Sequence, residues 1–262
     1  MIATEELYEF DLRGFLVCPN AISLAEVERC KLIIDEKKGA TRDGKFSFLG
    51  LDPFFMELMA RPGTVNILKT MLGEWLRFDH AFGITMTKYE PIAENLHGGP
   101  LQNQRAFWYQ WSLQSMHNGL IKVIYALNEV NHGDGGFICV PGSHKGNVYY
   151  RPPHDSHLVV NPTLRAGDML IFTEALVHGS RQWVGEQTRQ ALIYSYAPGC
   201  VAWKHYDTIR PLLAGATTDL QRDLLRPPYV GEYDEHRAET TGEWPQGRRT
   251  AIAVTESCAA QT

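Results

Sequence analysis

The chain has 262 residues, 44% hydrophobic and 21% charged, with a net charge of −5 and a pI near 6.1. That balance supports a sizeable core in one large domain and argues against nucleic acid or an anionic membrane as the main partner. The five scattered cysteines, the lack of an apolar run of about eighteen residues and an acidic rather than basic-then-apolar start together predict a cytoplasmic protein with reduced thiols and no transmembrane helix.

The N-terminal third reads as helical. Ser23-Leu-Ala-Glu26 is a capping box, in which the serine oxygen takes an orphan amide while the glutamate reaches back. Val27, Cys30 and Ile34 follow at helical spacing, and Gly39 can stop the helix. A second helix is expected from Thr64 to Leu72, closed by Gly73. Both are expected to buttress a sheet rather than form a lid. From Gly83 the texture changes to short β-type runs: Gly83–Tyr89, Leu120–Val130, Gly136–Val140, Asp168–Thr173 and Gln190–Tyr196. Gly, Pro, Asn and Asp punctuate them, without a βαβ rhythm. The expected fold is mainly β, a jelly roll or cupin-like double-stranded β-helix with N-terminal flanking helices. No boundary separates the two parts, so residues 1–262 read as one domain, with a barrel core at 83–198 and a mobile tail over 239–262.

Three segments stand out together: Asn95-Leu-His97-Gly-Gly99; Gly135-Gly-Phe-Ile-Cys-Val-Pro141-Gly-Ser-His144-Lys145; and Ala166-Gly-Asp168 through Phe172, Glu174 and His178-Gly-Ser180, with Arg189 following. In this order they resemble the phytanoyl-CoA dioxygenase family, over roughly residues 83 to 198. The resemblance implies an Fe(II) enzyme that uses 2-oxoglutarate and O₂ on a small-molecule substrate, working as a monomer or homodimer. It makes His97 and His178 the metal-binding imidazoles, 81 residues apart in sequence. Iron that activates oxygen needs two imidazoles and usually a carboxylate on one face, with other positions open. Arg189, 11 residues after His178 and at the head of an apolar strand, is expected to hold the distal carboxylate of 2-oxoglutarate through its planar fork. Lys88 and Ser180 are further cosubstrate-binding candidates. His144 is read as a turn residue.

The family's His-x-Asp is His97-Gly98-Gly99 here. In a double-stranded β-helix the loops alternate between open and closed ends. By that count the His132–Gly135 turn, with Asp134, falls at the closed end, whereas the Glu174 turn falls at the open end beside His178. Glu174 is therefore the candidate for the missing carboxylate. Two alternatives stay open: a halogenase, in which the small residue of His-x-Gly leaves room for chloride, and a non-catalytic jelly-roll binding protein. The aromatic run Phe107-Trp108-Tyr109-Gln110-Trp111, with Trp183 and Tyr194, reads equally as substrate wall or as core. The default reaction is hydroxylation of a C–H bond coupled to conversion of 2-oxoglutarate to succinate and CO₂.

Overall fold

The structure is a computed structural model that describes residues 2–39, 44–89, 95–99, 108–112, 115–148 and 150–229. The chain divides after Pro228 into a first unit, which carries everything below, and a second, Tyr229–Thr262. The expected mobile tail over 239–262 lies outside the described residues.

The elements of the first unit are α1 (Thr4–Arg13), β1 (Phe15–Cys18), α2 (Leu24–Lys37), β2 (Lys45–Phe46), α3 (Phe54–Met59), α4 (Pro62–Leu72) and β3 (Arg77–Met86). There follow β4 (Tyr109–Ser112), β5 (Ser115–Asn118), β6 (Ile121–Ala126), β7 (Gly136–Cys139), β8 (Met169–Thr173), β9 (His178–Arg181), β10 (Arg189–Ala197) and α5 (Asp219–Leu224). Six strands form an antiparallel sheet in the order β1-β8-β6-β10-β3-β2. Two smaller antiparallel pairs, β4-β5 and β7-β9, complete the β structure.

Alternation along the strands sorts side chains between two apolar layers. Val123, Tyr125, Ile171, Leu192, Tyr194 and Tyr196 point to one face of the large sheet and pack with α2, α3 and α4 through Val27, Ile34, Phe55, Leu58, Val65 and Leu68. The helices thus buttress the sheet, as expected. Ile124, Ala126, Leu170, Phe172, Ala191 and Ile193 form the other layer, with Phe137 of the small β7-β9 sheet. Phe137 and Phe172 meet at 4.7 Å between ring centroids. This is the jelly-roll arrangement, and the candidate site lies on the second layer.

The α2 capping box is present, with the Glu26 amide donating to Ser23 Oγ. The α4 helix starts at Pro62, two residues before the expected Thr64, because proline fits the first helical turn. Strand β3 begins at Arg77, six residues before the expected Gly83; its first half reads as mixed polar because Asp79 and His80 are held inside by partners of their own. The segment Phe15–Cys18 proves to be an edge strand paired with β8.

His144 sits in the turn expected for it but is buried, and its function is to dock α1. Its Nε2–H donates to the Asp11 carbonyl at 3.0 Å, and its ring stands edge-on to Tyr109. Gly14, at φ +79, ends α1; a Cβ there would lie 2.6 Å from His144 Nδ1. Burial pushes the imidazole down to about 4, so it stays neutral.

Candidate metal centre

The two histidines are joined through their backbones. His97 and His178 exchange N–H···O bonds of 2.8 Å in each direction, which sets their rings 4.3 Å apart. Each ring is then oriented by the carbonyl two residues before it: His97 Nδ1 bonds to Asn95 O at 3.0 Å and His178 Nδ1 to Leu176 O at 2.7 Å. A carbonyl only accepts, so Nδ1 carries the proton in both, and Nε2 is left with a lone pair. Burial pushes His178 down to about 3, which keeps that lone pair available.

Glu174 lies one turn before His178, with Oε1 3.9 Å from His178 Nε2. Ligand atoms of His97, Glu174 and His178 all fall within 4.8 Å of one another, a spacing that fits one metal ion. The Glu174 side chain is buried, and Lys122 Nζ stands 2.9 Å from its Oε2. That contact is an ion pair outside good hydrogen-bond geometry, so Oε2 has no hydrogen-bond donor among the described residues. Burial alone would push the carboxyl up, but Lys122 holds it below the ordinary glutamate range, so Glu174 is an anion.

Gly98 and Gly99 lie flat against the Glu174 turn. The Gly99 N–H donates to Ala175 O at 2.9 Å, and a Cβ on Gly98 would lie 2.3 Å from Leu176 O. Gly99 has φ +91, and its Cβ would meet Val177 Cγ2 at 3.1 Å. Gly99→Asp is therefore expected to lower unfolding free energy by about 1–3 kcal/mol in urea titration, through left-handed backbone strain and crowding. Unchanged stability would contradict this account of the glycine.

From the histidines a cavity of about 110 Å³ runs to Arg189, walled by Phe137, Phe172 and Ile193, with Ser180 on its side. Arg189 is 3% exposed. Its Nη1 donates to Met86 Sδ at 3.4 Å, and its Nε has no hydrogen-bond partner among the described residues. Burial without a nearby acid pulls the guanidinium down to about 10. Gly136 makes room for it: a Cβ there would lie 2.7 Å from Arg189 Nε. A buried cation left unpaired is costly, so the cavity is built for an anion.

Other candidates fall elsewhere. Lys88 is a correction: it does not line the cavity, and its ammonium pairs with Glu186 at the surface, beyond the end of β3. Asp134 closes its own turn by accepting from Asn131 N–H at 2.8 Å and is not brought to the histidines. Tyr194 lies on the helix-covered face and donates to Phe55 O, while Trp183 is buried and donates to Gln187 O. Tyr109 bonds to Asp11, Trp111 is 52% exposed, and Phe107 lies outside the described residues. Lys122 was not singled out in the sequence. Its signal was a lone charge on the inner face of an otherwise apolar strand.

The family model described as phytanoyl-CoA dioxygenase (PhyH) matches residues 20–191. The chain belongs to this family. No curated protein sequence matches it significantly. Among solved structures, this family member resembles HygX from Streptomyces hygroscopicus with nickel and 2-oxoglutarate bound. That match has 24% identity and a TM-score of 0.70, and covers 88% of this chain and 96% of HygX. HygX with nickel, 2-oxoglutarate and hygromycin B bound matches at 23% identity and a TM-score of 0.68, covering 78% and 90%. EvdO2 from Micromonospora carbonacea var. aurantiaca matches at 17% identity and a TM-score of 0.55, covering 76% and 91%. HygX has also been solved with iron bound. No helix among the described residues is long and apolar enough to cross a membrane.

Proposed function

We propose that the chain is an Fe(II)- and 2-oxoglutarate-dependent dioxygenase that hydroxylates a small molecule in the cytoplasm. The observation that carries this reading is the unpaired, buried Arg189 in a cavity that also reaches His97 and His178, the two imidazoles grouped with the Glu174 carboxylate. Nickel, iron and 2-oxoglutarate in HygX support it, as does hygromycin B in that protein for a small-molecule substrate.

In this reading His97 and His178 bind iron through Nε2, and Glu174 completes the set through Oε1 while Lys122 restrains Oε2. Arg189 takes the distal carboxylate of 2-oxoglutarate with its planar fork, and Ser180 borders the chain between. Phe137, Phe172 and Ile193 exclude water from the cosubstrate, which strengthens the charge pairing at Arg189. With both bound, iron and 2-oxoglutarate supply the oxidising chemistry: O₂ converts 2-oxoglutarate to succinate and CO₂ and a substrate C–H bond is hydroxylated. The presence of Glu174 beside the imidazoles favours this over the halide reading of His97-x-Gly99, which needs that position free. Anaerobic addition of Fe(II) and 2-oxoglutarate tests the reading, since a site holding both gives a visible charge-transfer band.

A further inference from the structure

Outside the metal centre the cavity opens into a chamber of about 810 Å³ that shares Lys45, Phe82, His97 and Lys122 with it. Its described lining is strongly biased in charge. The cations are Lys45, Lys122 and Lys204, with His80 and His97 beside them, and the one acid is Glu174, which already faces Lys122. Lys45 and Lys204 make no ion pair among the described residues; the Lys45 ammonium lies 5.3 Å from the Phe82 ring centroid.

This wall is held in place from behind by one buried carboxylate. Asp79 accepts from Arg77 Nη1 at 3.1 Å, bonds to His80 Nδ1 at 2.6 Å, and accepts the backbone N–H groups of Trp203 and Lys204 at 2.8 and 3.1 Å. It thereby fixes His80 on β3 and the turn that presents Trp203 and Lys204. His80 is further restrained through Nε2 by Ser195 Oγ at 3.1 Å and lies parallel to Phe82. With Asp79 turned inward, the chamber keeps two unpaired ammonium groups beside two aromatic side chains.

We infer that this chamber is the substrate site and that its substrate carries an oxyanion, a phosphate, sulfate or carboxylate, on an organic body. The charge contacts Lys45 and Lys204, and the body lies along Phe82 and Trp203 toward the metal centre. The inference rests on the oxygenase reading for the word substrate, but the anion site itself needs no metal.

The test is calorimetric titration of the full chain, without added metal, using phenyl phosphate, benzyl alcohol and inorganic phosphate as probes at low ionic strength. Phenyl phosphate is expected to bind at least about tenfold tighter than either of the others. Each lysine is expected to contribute about threefold, so Lys45→Ala with Lys204→Ala should cost about tenfold. Arg189→Leu should leave phenyl phosphate affinity within about twofold, because it removes only the inner cation. Equal affinity for benzyl alcohol, or no loss in the double variant, overturns the inference. So does loss of binding in Arg189→Leu, which would place the probe in the inner cavity. Inorganic phosphate binding as tightly as phenyl phosphate would make this a free-ion site and overturn the substrate assignment. Both lysines are exposed, so the double variant should fold. Anion binding without a charge-transfer band would refute the oxygenase reading alone.

Discussion

Arg189→Leu is expected to weaken 2-oxoglutarate binding by about thirtyfold or more while leaving iron binding intact. Removing one member of a buried charged pair costs about 2–5 kcal/mol, much of it the desolvation of the partner left behind. The guanidinium is 3% exposed and faces no described acid, so the cosubstrate carboxylate would be its counterion. The same change should leave the unliganded protein as stable as before or more so, since a solitary buried cation gives way to an apolar side chain beside Met86, in a cavity walled by Phe137, Phe172 and Ile193. Tight binding and stability should therefore move in opposite directions. Titration with 2-oxoglutarate and a thermal melt measure the two effects. A dissociation constant within about twofold of wild type, far short of the expected loss, would remove Arg189 from the cosubstrate site.

Glu174→Gln is expected to cost more than about a hundredfold in Fe(II) affinity. Loss of groups that only orient metal ligands costs about 10–100-fold, and a direct anionic ligand should exceed that. Glutamine keeps the shape of the side chain, and Lys122 borders the outer chamber, where water can solvate its charge once the carboxylate is gone. The variant should therefore fold. Chloride should not change the wild-type spectrum. Iron retained by Glu174→Gln at full stoichiometry and unchanged affinity, with a chloride-dependent spectrum, would favour the halide reading of Gly99 instead.

Much of this arrangement was readable from local pattern. The capping box at Ser23 and the apolar runs of β6, β8 and β10 carry their own signals, because capping and alternation are properties of a few neighbouring residues. Counting loops from one end of a jelly roll to the other distinguishes Glu174 from Asp134, and among the described residues Glu174 is the acid grouped with the two histidines. What stayed hidden depends on distant partners. Strand β1 is four residues long and exists through its pairing with β8, where Phe15 faces Phe172, 157 positions further along the chain. Lys88 and Lys122 both fall within β-type runs; which one enters the site depends on the facing elements, Glu186 for the first and Glu174 for the second. The aromatic run after His97 could not be assigned because nothing local shows that Tyr109 reaches Asp11 on α1. The chamber wall was invisible for the same reason: Asp79 and Lys204 are 125 residues apart.

The measurement that bears most directly on the central claim is an anaerobic absorbance titration of the wild-type chain with Fe(II) and 2-oxoglutarate. The arrangement of His97, Glu174, His178 and Arg189 predicts a visible charge-transfer band that saturates at one iron and one 2-oxoglutarate per chain, and that Arg189→Leu shifts to much higher 2-oxoglutarate concentration. A folded wild-type protein that binds neither and gives no band would contradict it.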